Sequence, residues 1–100
     1  MGKTVSEAIE YRRSVRKYLN TNLNEEKVKR CIKNATLAPN SSNMQLWEFY
    51  HITDKKVLSR LSKACFNQNA AKTAVNMVVF VTRRDKWKVR AKQNLDFLEN

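Results

Sequence analysis

Ala38-Pro39-Asn40-Ser41-Ser42-Asn43-Met44-Gln45-Leu46-Trp47-Glu48-Phe49 changes character within a dozen residues, and that change decides the fold class. Pro39 lacks a backbone N–H and disfavours helix in the residue before it, so a preceding helix must stop there. The next six residues carry amide and hydroxyl side chains at all positions but Met44, a composition that competes with helix and favours a turn-rich loop. From Trp47 to Thr53 the chain is aromatic and β-branched, which predicts a strand. Helix, polar loop and strand thus follow one another in a single chain.

Outward from this stretch the pattern stays legible. Upstream, Thr4 and Glu7 have capping-box spacing, which predicts a helix from about Val5 to Arg12. Asn24 caps a second helix that carries Glu25 and Glu26 in its first turn and is expected to bury Val28, Cys31, Ile32 and Ala35. Downstream, Asp54 caps a third helix with Val57, Leu58, Leu61, Ala64 and Cys65 on its apolar face. Asn67-Gln68-Asn69 marks a turn, Ala70–Ala74 a short helix, and Met77–Thr82 a strand expected to be buried on both faces. The last helix places Trp87, Ala91, Leu95 and Leu98 on one stripe.

At 100 residues the chain is read as one domain, 1–100, with 42% hydrophobic and 29% charged residues. Its one glycine, Gly2, excludes a dinucleotide fingerprint, a Walker-type phosphate loop and a nucleophile elbow. One His and two Cys, with no Cys-x-x-Cys pair, exclude a zinc-finger ligand set, and no metal is expected. Cys31 and Cys65 read as reduced, buried thiols suited to the cytoplasm. The longest apolar run, Met77–Val81, is far short of a membrane span, and Glu7 and Glu10 interrupt any secretory signal. The net charge of +11 asks for an anionic partner.

Two constellations carry chemistry. Arg12, Arg13, Arg16 and Lys17 gather cations near a helix end with the Ser14 hydroxyl between them, a donor set that suits phosphate oxygens; a solvated basic face is the simpler reading. The 40–45 loop offers neutral donors and acceptors of the kind that read the edge of a heterocycle, and an ordinary polar loop is its alternative. The run Arg83, Arg84, Lys86, Lys88, Arg90, Lys92 around Trp87 has the composition of a nucleic-acid contact, but a Trp87 on the buried stripe could not stack on a base, so a solvated face is preferred. His51 shares strand parity with Trp47 and Phe49 and reads as a packed histidine.

Arg12-Arg13-Ser14-Val15-Arg16, followed by Ala38-Pro39-Asn40-Ser41-Ser42-Asn43-Met44-Gln45-Leu46-Trp47, resembles the N-terminal half of the FMN-dependent nitroreductase family, in motif order as well as spacing. Asn40 stands where the family usually has Ser and Leu46 where it has Pro, while Ser41, Asn43, Gln45 and Trp47 keep register. The resemblance implies an α+β fold, an antiparallel sheet flanked by helices, and a homodimer with FMN at its interface. It assigns Arg12, Ser14 and Arg16, with Arg13 beside them, to the FMN phosphate and ribityl chain. Pro39, Asn40, Ser41, Asn43 and Gln45 would approach the flavin from the partner subunit, and Asn67 or Gln68 the flavin ring. The implied activity is that of an oxidoreductase: NADH or NADPH reduces the flavoprotein, which then reduces a nitroaromatic, a quinone or a similar small acceptor.

Members of that family are considerably longer than this chain and add strands, a late basic residue on the phosphate and an arm around the partner. An incomplete relative, holding the N-terminal half only, is therefore the expectation. A non-catalytic flavin-binding or dimerisation fragment is the alternative, and a basic nucleic-acid-binding domain the runner-up.

Overall fold

The computed structural model describes residues 2–99. Helix α1 (Val5–Tyr11) starts as the capping box requires: the Thr4 amide donates to Glu7 Oε2 at 2.8 Å and the Glu7 amide to Thr4 Oγ1 at 3.2 Å. It stops where the Arg13 guanidinium folds back and donates to the carbonyls of Glu10 and Arg12 at 2.9 Å and of Tyr11 at 3.4 Å. Those carbonyls have no intrahelical donor, so a cation at this end satisfies both hydrogen bonding and dipole. Residues 12–23 then run without regular structure, anchored where the Tyr18 amide donates to Thr73 Oγ1 at 3.0 Å.

Helix α2 (Glu25–Thr36) is capped by Asn24 Oδ1, which accepts from the Glu26 amide at 2.9 Å. Strand β1 (Trp47–Ile52) follows the polar loop, and α3 (Lys55–Ala64) is capped by Asp54, whose Oδ1 accepts from the amides of Lys56 and Val57. Short α4 (Asn69–Thr73), β2 (Met77–Thr82) and α5 (Trp87–Glu99) complete the order. The strands form a two-stranded antiparallel sheet registered from Trp47↔Thr82 to Ile52↔Met77. Phe49 and Phe80 face each other across it edge to face at 4.9 Å, a pairing that stabilises beyond its buried area. The architecture is the α+β one expected.

Burial departs from expectation. Among the described residues the buried side chains are Leu58, 8% exposed, and Ser62. The chain leaves 9146 Å² accessible, against about 5,900 Å² for a compact monomer of this mass. Its radius of gyration is 17.6 Å, where a compact domain of this length has about 13 Å. Four expectations are corrected for this one reason, that amphipathic faces lack a layer to pack on. Cys31 and Cys65 are exposed, as is Ala35 beside them, while Val28 and Ile32 are half-buried. Strand β2 is covered only in its first half, and Phe80 is 72% exposed. Trp87 is 51% exposed, and Leu95 and Leu98 on its stripe are exposed with it. His51 is packed as expected, its Nε2 lying 2.5 Å from Asn76 Oδ1.

Truncating a side chain should therefore matter only where something covers it. Leu58→Ala is expected to destabilise the chain by about 2 kcal/mol. Ile9→Ala, at a position 64% exposed, should change stability by less than about 0.5 kcal/mol. Paired urea melts read by far-UV circular dichroism would check the contrast, and equal losses would show that α1 is covered in solution.

Candidate functional site

Three segments carry the site residues expected from the sequence, and each is held differently. In the first, Arg12 and Ser14 lie within side-chain reach, with Arg12 Nη2 at 3.5 Å from Ser14 Oγ. Among the described residues neither Arg12 nor Arg16 has a carboxylate partner, and both are exposed. Arg12 beside the Ser14 hydroxyl is a donor pair of the kind that suits a phosphate group, while no contact brings Arg16 to either of them among the described residues. Arg13 differs from them: its guanidinium is committed to the last carbonyls of α1.

The second segment is the 40–45 loop. A 3₁₀ turn at Ser41–Asn43 closes with the amides of Asn43 and Met44 donating to the carbonyls of Asn40 and Ser41 at 3.0 and 3.1 Å. Asn40 is the hub: its Oδ1 accepts from the Gln45 amide at 2.8 Å and its Nδ2 reaches the Ala38 carbonyl at 3.4 Å. Gln45 Nε2 in turn donates to Asn43 Oδ1 at 3.3 Å. Ser42, Asn43 and Gln45 take positive φ of 51°, 51° and 54°, the left-handed region that costs a non-glycine residue about 1 kcal/mol. Pro39 enters the loop with no such constraint.

The third segment ends α3. Phe66 sits at φ 58° where glycine is usual, and the helix closes in a Schellman motif: the Asn67 amide donates to the Ser62 carbonyl at 2.9 Å and the Phe66 amide to that of Lys63 at 3.1 Å. Asn67 is also left-handed, its Oδ1 accepts from Ser62 Oγ at 3.4 Å, and Gln68 is the residue before α4. Phe66 is 88% exposed. All non-glycine residues with positive φ among the described residues thus fall in the second and third segments. Strained backbone of this kind gathers where a ligand is held.

The structure brings Arg12 together with Ser14, and Asn40 with Asn43 and Gln45; among the described residues no hydrogen bond joins these groups to each other or to Asn67 and Gln68. Sequence reasoning missed the residues that hold the loop from outside. Arg83, read there as part of a basic run, pairs with Glu48 and with Asp85, and its amide donates to the Leu46 carbonyl at 2.9 Å, extending the ladder to the loop's edge. Arg90 and Asn94 of α5 donate to loop carbonyls. Asp85 apart, the partners lie tens of residues away, so no local signal marks these contacts. The described residues contain no group of three metal-ligating side chains and no helix long and apolar enough to cross a membrane.

With this geometry in view, the likeness to known proteins is specific. Residues 9–98 match the nitroreductase family, and the chain belongs to it. A protein of Archaeoglobus fulgidus named as an NADH dehydrogenase/NAD(P)H nitroreductase is 33% identical over 69 residues, which cover 68% of this chain and 40% of that protein. A nitroreductase of Exiguobacterium sibiricum solved in complex with FMN matches with a TM-score of 0.72 at 27% identity, over 95% of this chain and 48% of that one. An NADH dehydrogenase/NAD(P)H nitroreductase of Parabacteroides distasonis gives a TM-score of 0.71 at 29% identity, over 90% and 58% respectively. The chain spans about half the length of the relatives it matches.

The hydrogen bond from Arg83 holds the Asp85 carboxyl down at about 2. A lowered carboxyl pKa means that the pairing contributes fully above the ordinary carboxylate value of about 4 and is lost as pH falls toward the folded value. Asp85→Asn should therefore flatten the change in thermal midpoint between about pH 4 and pH 2. An Asp85 carboxyl that titrates by NMR in the ordinary range would show that the pair does not form in solution.

Proposed function

We propose that this chain is the FMN-binding half of an NAD(P)H-dependent oxidoreductase of the nitroreductase type. The observation that carries this reading is the match of residues 9–98 to the family, with Arg12 lying beside Ser14 and neither Arg12 nor Arg16 held by a carboxylate among the described residues. The donor chemistry fits the cofactor: charge-assisted donors suit a phosphate monoester, and neutral amides on a left-handed loop suit the polar edge of a flavin ring. Arg12, Ser14 and Arg16 would hold the phosphate and ribityl chain, with Arg13 fixing the turn that presents them. Pro39, Asn40, Ser41, Asn43 and Gln45 would face the flavin of a partner subunit in a homodimer, and Asn67 or Gln68 its ring. When bound, FMN supplies the two-electron chemistry that links NADH or NADPH to a nitroaromatic, quinone or similar acceptor. The residues of this chain bind and orient.

The exposed faces of α1, β2 and α5 agree with a chain that completes its core against another polypeptide, and free cysteines suit a reducing compartment such as the cytoplasm. A second reading, a flavin-binding or dimerisation fragment without turnover, is in keeping with the apolar faces left open.

The test is the visible spectrum of the chain after incubation with FMN and desalting, beside an Arg12→Ala/Arg16→Ala variant. Retained flavin in the wild type and a loss of affinity of about a hundredfold in the variant are expected, since each charge-assisted contact contributes roughly 1.5 kcal/mol or more. Bleaching on addition of NADH or NADPH would then separate the reductase from the silent fragment. A folded wild type that retains no flavin would exclude the reductase and the flavin-binding fragment for this chain and leave only the dimerisation fragment.

A further inference from the structure

The 40–45 loop ties three of its amides to Asn40 and Ser41, and three of its other carbonyls point away from it. Asn43, Met44 and Gln45 donate within the loop, whereas the carbonyls of Ser42, Met44 and Gln45 turn outward. All three are taken by one face of α5: Arg90 Nη1 donates to Met44 O at 2.9 Å and Gln45 O at 3.2 Å, and Asn94 Nδ2 donates to Ser42 O at 2.5 Å. Arg90 and Asn94 stand one helical turn apart, so a rigid element presents both donors in fixed relation. The carbonyls they hold belong to the loop's left-handed residues Ser42 and Gln45 and to Met44 between. Left-handed backbone in residues other than glycine relaxes unless something outside it prevents this.

We propose that Arg90 and Asn94 are positioning residues that latch the 40–45 loop in the conformation that receives the flavin. The latch rests on the flavin reading above, and it acts through the backbone rather than by touching the cofactor. Its consequence is that affinity for FMN depends on two α5 side chains outside the binding motifs. Both carbonyls accept from one guanidinium nitrogen, Nη1, which stands one bond farther from the backbone than a lysine ammonium, so a lysine at 90 restores only part of the hold. Asn94→Asp is the sharper change at 94, since it keeps the shape and turns a donor toward Ser42 O into an acceptor.

The experiment compares wild type, Arg90→Gln, Arg90→Lys and Asn94→Asp by amide hydrogen exchange and by FMN titration. Exchange at Asn43, Met44 and Gln45 should quicken about tenfold in Arg90→Gln and Asn94→Asp, less in Arg90→Lys, with the β1 and β2 amides unchanged. FMN affinity should weaken in the same order, by about tenfold for the two disruptive variants. Unchanged loop exchange overturns the latch, as does quickened exchange with unaltered FMN affinity. Exchange that quickens equally in loop and sheet assigns Arg90 and Asn94 to general stability and also overturns it. A wild type that binds no FMN overturns the flavin reading, a result distinct from wild-type binding that the variants leave untouched, which overturns the latch alone.

Discussion

The antiparallel pairing of β1 with β2 places everything else. Before it forms, Trp47–Ile52 and Met77–Thr82 are separated by two helices and their turns, and residues 40–45 have no relation to residues 83–94. Registering Trp47 against Thr82 brings Arg83 beside Leu46 and Glu48, and the chain that leaves β2 then lays α5 against the loop that enters β1. The Phe49–Phe80 contact holds the centre of that ladder and Arg83 closes its loop end. Two strands alone are marginal in water, so a sheet of this size depends on helices, aromatic pairs and end contacts of this kind.

What the sheet does not provide is a core. Each helix carries an apolar stripe, yet the structure leaves most of them open, and the accessible area and radius of gyration both exceed those of a compact domain of equal length. This pattern belongs to a chain spanning about half the length of its relatives. Phe80 and Trp87 are among the apolar side chains left open. Among the described residues Arg12 and Arg16 have no carboxylate partner.

Strain and satisfaction are arranged together at the candidate site. The left-handed residues outside glycine lie in the 40–45 loop and at Phe66–Asn67, and each segment is held by a compact set of hydrogen bonds: Asn40 and the α5 donors in one, the Schellman closure in the other. Rigid loops on a scaffold of this kind bind at low entropic cost, since the ordering precedes the ligand.

The sequence by itself determined the local elements. Thr4, Asn24 and Asp54 are caps whose partners sit two or three residues away, and Asn40–Gln45 is a turn because its own side chains compete with helix; such signals need no distant neighbour. Strand identities, helix order and the family motifs were legible for the same reason. Burial was not: an apolar stripe shows which face seeks cover, and only the tertiary structure decides whether cover exists, so Cys31, Cys65, Trp87 and the second half of β2 read as buried and stand open. The offices of Arg83, Arg90 and Asn94 were likewise decided by tertiary structure. Nothing beside a basic residue in the chain marks whether it faces water or a carbonyl some forty-five residues away, because that choice is made by sheet register and not by local propensity.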